Sequence, residues 1–234
     1  TPKKHQRQTQ LFSATYSDDI KRLAASWTLD PVHIEIEPEK IAVDSVVQKV
    51  YLTSEADKYA LLYNIIDYYK IDRVLVFVNR RDQSRDLESK LRRHNFKTGL
   101  LAGDVPQRKR IKTLEQFRSG EISILVATDV AGRGLHIDDI SHVVNYNLPE
   151  DPEDYVHRIG RTGRAGSKGI SITLACESDA FMLPNIETLL GTPLPCEHPP
   201  PELFAEVPAL PPNADIERKP ERRPERSSRP RGRR

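Results

Sequence analysis

The sequence predicts an α/β fold in which a mainly parallel sheet is covered by helices as a three-layer lobe. Two observations predict it. Between Lys58 and Leu190, short apolar runs rich in β-branched residues alternate with amphipathic stretches at helical spacing. The runs are nearly continuous in apolar residues, as in strands buried on both faces.

Residues 1–40 come first and look different. "QTQLFSAT" reads as a strand, "SDDIKRLAASWTL" as a helix capped by Ser17, and "VHIEIE" as an alternating strand. With no sheet of their own to join, they are expected to be the trailing edge of a preceding domain. "EPEKIAVDS" then links into the main lobe, residues 41–192. There "DKYALLYNIIDYYK" places Leu61, Leu62, Ile65, Ile66 and Tyr69 on one helical face, and "RVLVFV" is a buried strand. "DQSRDLESKLRRHNF" follows as a helix and "KTGLLA" as a strand. "PQRKRIKTLEQFRSG" is a helix with Pro106 near its start and Gly120 past its end. "ISILVAT", "SHVVNYN" and "GISITLA" are three more strands, and "SDAFMLPNIETLLG" a last helix kinked or restarted at Pro184. Right-handed crossovers put the C-terminal ends of the strands on one edge, where open α/β sheets bind ligands. The loops "VNRRD", "AGDVPQ" and "TDVAGRGLH" are expected to gather the candidate residues on that one rim. Residues 193–234 hold most of the prolines, and from Pro211 onward almost nothing apolar remains. Such a stretch cannot offset its chain entropy by burial and is expected to be a disordered tail.

Composition narrows the function classes. No run approaches the roughly 18 apolar residues of a membrane helix, and "TPKKHQRQTQ" lacks the apolar core of a signal peptide. A cytoplasmic location is the expectation. Cys176 and Cys196 form no C-x-x-C pair and have no clustered histidines, so two reduced thiols are expected and no metal site. The net charge of +2 is uneven: residues 217–234 carry nine Lys/Arg and three Glu, which leaves 27 basic and 31 acidic residues before them. The globular part is therefore acidic and the tail basic. A basic arm of this kind suits nucleic acid or another polyanion, or serves only to keep the chain soluble.

Two glycine-rich segments carry chemistry. In "ATDVAGRGLHI", Thr128 offers a hydroxyl, Asp129 a carboxylate and Arg133 a fork of donors, while Gly132 and Gly134 let backbone approach a phosphate. An ordinary strand-to-helix turn would look the same. In "EDPEDYVHRIGRTGRAG", Asp151 caps a helix before Pro152, and Gly160 ends it near Arg161. Arginines at a helix end and in a glycine-broken loop match phosphate oxygens two at a time. A solvated basic turn is the bland alternative, and Arg158, inside the helix, keeps that reading.

Five segments occur in a telling order: "SAT" (Ser13–Thr15), "VFVNRR" (Val76–Arg81), "QRKR" (Gln107–Arg110), "ATDVAGRG" and "HRIGRTGR". From about Thr9 to Leu190 the chain resembles the second half of the DEAD-box RNA helicases: motif III, motif IV, the Q-x-x-R motif, motif V and motif VI. "RGLHI", "ITLAC", "NIETLLG" and the Arg/Pro-rich end look most like one bacterial branch of that family. The resemblance implies two RecA-like lobes, with ATP and Mg²⁺ held in the cleft between them, mainly by the first lobe, and RNA laid across both. Residues 1–40 would be the end of the first lobe and residues 41–192 the second. Arg161 and Arg164 would be arginine fingers that reach the γ-phosphate. Ser13, Thr15, Asp129 and His157 would couple the lobes, and Gly134 and His136 would lie near the ATP ribose. Asn79, Arg80, Gly103, Arg110 and Thr128 would hold the RNA backbone without reading sequence. The bacterial branch suggests ribonuclease E as a partner in RNA degradation.

Three departures matter. His136 stands where the family usually has Asp, and Ala102 where it has the His of an "HG" pair. The sequence also lacks a G-x-x-x-x-G-K-[ST] loop, a D-E-A-D segment and an adenine-reading Q motif. The expectation is a chain that begins after those motifs and alone hydrolyses no ATP, in a protein that unwinds short RNA duplexes. A non-catalytic RNA-binding or adaptor module is the rival from another class.

Overall fold

The apolar runs become strands where the periodicity puts them in a computed structural model, which describes residues 6–13, 18–34, 46–129, 140–163 and 168–211. The elements are α1 (Asp18–Trp27), β1 (Val46–Leu52), α2 (Lys58–Tyr68), β2 (Val74–Phe77), α3 (Arg81–Arg93) and β3 (Thr98–Leu101). After these come α4 (Gln107–Arg118), β4 (Ile124–Ala127), β5 (His142–Asn145), α5 (Pro152–Ile159), β6 (Gly169–Ala175), α6 (Leu183–Leu190) and β7 (Cys196–Glu197). Among the described residues, the strands form one sheet in the order β3-β4-β2-β5-β6-β1-β7, and every pairing is parallel.

Strands β2 and β4 are buried at every residue. Their alternate side chains therefore meet different helices. On one face Leu61, Leu62 and Ile65 of α2 and Leu87 and Leu91 of α3 pack on Val74, Val76, Ile124 and Val126. On the other, Phe117 of α4 packs on Leu75, Phe77, Leu125 and Ala127. Tyr155 and Ile159 of α5 and Ile186 of α6 join Val46, Val50 and Ala175 beside them. Each of these Val, Leu, Ile and Phe side chains contributes about 1.5–3 kcal/mol of burial. The three-layer expectation is met. So are the stop at Gly120, in the left-handed region at φ +80, and the restart near Pro184, where a 3-10 turn (Ala180–Met182) hands over to α6.

Several expectations fail for identifiable reasons. Strand β1 was not expected, because Gln48 and Lys49 interrupt its apolar run. It lies near the sheet edge, flanked outside only by the two residues of β7, so its burial is mixed. Tyr69 does not share the apolar face of α2; it lies past the helix end and is 44% exposed. The helix α1 forms where expected, but residues 8–13 and 32–34 are not strands, because among the described residues they have no ladder partner. Ser17 and the linker 37–45 lie outside the described residues.

Residues 193–211 are ordered, against the reading of their proline content. Leu194 packs beside α5 and α6, β7 pairs with β1, and Leu203 enters the core over α2. Asn64 Nδ2 donates to Leu203 O at 2.9 Å and to Ala205 O at 2.8 Å. Arg93 Nε donates to Pro211 O at 2.7 Å, and His94 Nε2 lies 2.9 Å from Pro208 O. Beyond the two residues of β7, the segment is thus held by side-chain donors to its carbonyls, which proline keeps although it lacks an N–H. Residues 212–234 lie outside the described residues.

A buried ion pair joins the start of α2 to the loop after β6. Lys58 Nζ, fully buried, donates to Asp179 Oδ2 at 2.7 Å, and Asp179 also accepts from the N–H groups of Leu148 and Cys176. Burial lowers the pKa of Lys58, but the Asp179 bond and charge outweigh it and leave the value raised above 10.5. Burial likewise raises the phenols of Tyr51, Tyr59 and Tyr146. In all four the folded state holds its proton more tightly, so their contribution is present below the ordinary values and lost as pH rises through the raised ones. The thermal midpoint should be flat from neutral pH to about 10 and fall above it. Melting curves between pH 8 and 11 check this, and Lys58→Met should shrink the alkaline drop.

Candidate functional site

The loops that leave β2, β3 and β4 meet at the C-terminal edge of the sheet. Their backbones are laced together: Val78 N donates to Ala127 O and Thr128 N to Leu101 O. This rim carries Asn79 and Arg80 after β2, Gly103 after β3, Arg110 in the first turn of α4, and Thr128 and Asp129 after β4. Gly103 is exposed, Arg110 half-buried and Thr128 buried. Pro106 opens α4 with its carbonyl bonded to the N–H groups of Lys109 and Arg110 but supplies no side-chain cap. A helix N-terminus of that kind favours an anionic oxygen.

Two arginine–aspartate pairs lie on the rim. Arg80 donates to Asp82 through Nε at 3.1 Å and Nη2 at 2.6 Å, and Arg85 pairs with Asp104. The guanidinium beside each carboxyl holds Asp82 and Asp104 below the ordinary carboxylate range. Next to them a cleft of about 520 Å³ is lined by Glu55, Arg80, Asp82, Gln83, Asp86, Asn147 and Ser178.

Arg158 is the residue that sequence reasoning misjudged. Far from solvated, it is 1% exposed. Its Nε and Nη2 bond Asp129 Oδ1 and Oδ2 at 2.6 and 2.7 Å. Nη1 donates to Asn147 O and Nη2 also to Asn79 Oδ1, both at 2.7 Å. The guanidinium lies 5.3 Å from the centre of the Phe77 ring. One side chain thus ties the ends of β2, β4 and β5 to α5. Asn79 is committed in turn, since its Nδ2 donates to Leu148 O at 2.8 Å. A signal was present: Tyr155, Arg158 and Ile159 stand at i, i+3 and i+4, which puts Arg158 on the buried face of α5. Asn147 and the Lys58–Asp179 pair were missed as well, because nothing local marks them.

The capping of α5 is as expected, with Asp151 Oδ1 accepting from Glu153 N at 2.9 Å and Pro152 in the first turn. The helix then runs back against the strands: Arg158 in its last turn still reaches the rim, and the residues just past its end meet the opposite edge of the sheet. Thr162 Oγ1 donates there to the carbonyls of Ile140 and Ser141, just before β5. Gly163 turns at φ +70, and a Cβ on Gly169 would stand 2.4 Å from Gly163 N, so a glycine is required at that approach. Arg161, half-buried, donates through Nε to His157 O at 3.3 Å, and His157 Nδ1 lies 3.6 Å from Asp154 Oδ1. The three loops thus share the rim as expected, and Arg161, which lies past the end of α5, is not part of it. Ser13 is exposed in the N-terminal segment. Thr15, Gly134, His136 and Arg164 lie outside the described residues.

Among the described residues no group of three or more His, Cys, Asp or Glu is placed to hold a metal ion, and no helix is long and apolar enough to cross a membrane. What the lobe offers is a rim of donors at one sheet edge and Arg161 past the end of α5, the helix whose Arg158 holds that rim.

Residues 57–166 match the helicase conserved C-terminal domain. The chain is 58% identical over 208 residues to the ATP-dependent RNA helicase RhlB of Pseudomonas putida, covering 89% of this chain and 52% of that protein. It is 48% identical over 219 residues to the RhlB of Shewanella frigidimarina, covering 94% and 50%. It thus spans about half the length of the curated relatives it matches. Among solved structures, Escherichia coli SrmB, a DEAD-box protein bound to the regulator of ribonuclease activity A, superposes with a TM-score of 0.63 at 32% identity. That match covers 70% of this chain and 98% of SrmB's. Saccharomyces cerevisiae Dbp5, bound to RNA and ADP-BeF3, gives 0.68 at 31% identity over 79% of this chain and 50% of Dbp5's.

Proposed function

The chain belongs to the DEAD-box family of RNA helicases, and from that premise we propose that it is the C-terminal part of an ATP-dependent RNA helicase of the RhlB kind. The observation that carries this reading is a rim of donors held together by Arg158, with Arg161 past the end of the same helix.

The rim is the RNA-facing site. The amide of Gly103, Arg110 on the first turn of α4, Thr128 and Arg80 offer donors to phosphate oxygens, which fixes the strand without reading its bases. Asn79 acts mainly by holding the rim in place, since its amide is spent on Leu148 and Arg158. Arg161, with Arg164, faces the nucleotide that the first lobe holds, and the two neutralise charge on the γ-phosphate. Phosphoryl transfer depends on such positioning and neutralisation more than on covalent help. His157, a turn before Arg161, and Asp129, through Arg158, link the two sites. Mg²⁺ would be held by the first lobe, together with most of the nucleotide. The ribose contact is assigned to Gly134 and His136.

On this reading RNA and nucleotide together close the two lobes, and a strand held along the rim is bent out of a short duplex. The tail beyond residue 211 adds sequence-independent affinity, and the likeness to RhlB points to ribonuclease E and RNA decay in the cytoplasm. The chain alone hydrolyses no ATP. The test joins it to the first lobe of a DEAD-box protein: RNA-stimulated ATP hydrolysis should appear with both lobes and be absent from either alone. No stimulation in the joined protein, or RNA affinity untouched by Arg110→Ala, would sink the proposal.

A further inference from the structure

The RNA-facing rim carries its own anions. Arg80 grips Asp82 with two donors, and Arg85, on the next turn of α3, pairs with Asp104 beside Gly103. The side chains of both pairs are solvent-exposed, at 74% and 69% for Arg80 and Asp82 and 54% and 39% for Arg85 and Asp104. A guanidinium presents the same planar fork to a carboxylate and to a phosphate. Each aspartate therefore occupies donors that a strand lying along the rim would need. Exposed pairs of this kind are weak and screened by salt, so a phosphate can displace them.

We propose that Asp82 and Asp104 are built-in competitors for the RNA backbone, which keep Arg80 and Arg85 neutralised in the RNA-free lobe and are displaced when a strand binds. The inference rests on the reading of the rim as RNA-facing. It adds that the RNA affinity of this lobe is set by two acidic residues as well as by its basic ones. It also fixes a sign for salt dependence. A released carboxylate takes up a cation from solution and offsets one that the RNA gives up, so the displaced pairs flatten the salt response. Removing the carboxylate should steepen it.

Fluorescence anisotropy of a single-stranded RNA oligonucleotide with the full chain, over a salt series, tests this. Asp82→Asn and Asp104→Asn should each tighten binding by about two- to fivefold at low salt and steepen the log–log salt slope by up to about 0.7. Arg80→Ala should then cost more affinity in the Asp82→Asn background than in the wild type. Asp67→Asn is the charge-matched control: Asp67 is exposed and paired with Lys70 at the far end of α2, at the opposite sheet edge. Equal tightening by Asp67→Asn would reduce the effect to net charge and overturn the proposal. Variants that bind like the wild type would overturn it while leaving the RNA-facing rim intact. If neither wild type nor variants bind RNA, the reading of the rim falls and this inference with it.

Discussion

In the two-lobed protein, Arg161→Ala is expected to lower RNA-stimulated ATP turnover by about 10³- to 10⁵-fold, the range that arginine fingers supply in phosphoryl transfer. Stability should stay within about 0.5 kcal/mol of the wild type, because Arg161 is half-buried and sits past the end of α5 rather than in the core. RNA affinity without nucleotide should also hold, since the rim is at the other edge of the sheet. Arg161→Lys keeps the charge but loses the fork, so partial activity is the expected result. Single-turnover ATPase assays, melting curves and RNA titration together decide it. A rate within tenfold of wild type would remove Arg161 from the nucleotide site, and a collapsed melting curve would make it a structural residue.

The second large effect is predicted for Arg158→Met, which should cost about 3–5 kcal/mol of folding free energy. Met fills much of the space beside Phe77 but leaves the Asp129 carboxylate, Asn147 O and Asn79 Oδ1 without their donor. Asp129 retains some solvent, at 22% side-chain exposure, which places the cost at the lower end of that range. Arg158→Lys should recover part of the stability, because an ammonium can bond Asp129 but cannot span three strand ends. Urea unfolding measures the first quantity. The positioning role has its own readout: in the joined protein, Arg158→Lys should raise the RNA concentration needed for half-maximal ATPase more than it lowers the maximal rate. An effect on stability alone would leave Arg158 a core residue with no part in coupling.

Arg158 also shows where sequence reasoning stopped. Strands β2 to β6 and helices α2 to α6 were legible because periodicity and caps are local properties. Asp151, Pro152 and Gly160 bound α5 within a few residues of one another. The partners of Arg158 lie at residues 79, 129 and 147, and the pairing of Lys58 with Asp179 spans most of the lobe. No short-range pattern encodes such contacts. The ordered segment 193–211 was lost for another reason: composition counts apolar residues and misses carbonyls that accept from Asn64 and Arg93. The three loops share the rim that the sheet topology predicted; what that expectation left out is Arg161, because it considered the loops that leave the strands and not the helix α5.

The pairing of β1 with β6 sets the order in which the lobe can be completed. Val46 pairs with Gly169, and β2, β3, β4 and β5 are all made between them. During synthesis β1 emerges first of the sheet and waits longest for a neighbour, while β2, β3 and β4 can already assemble. Parallel pairing over such a separation is slow, and an unpaired apolar strand is open to wrong partners in the meantime. Gln48 and Lys49, which hid β1 from the periodicity, place polar groups in the middle of the segment that waits, and so lower its tendency to take a wrong partner.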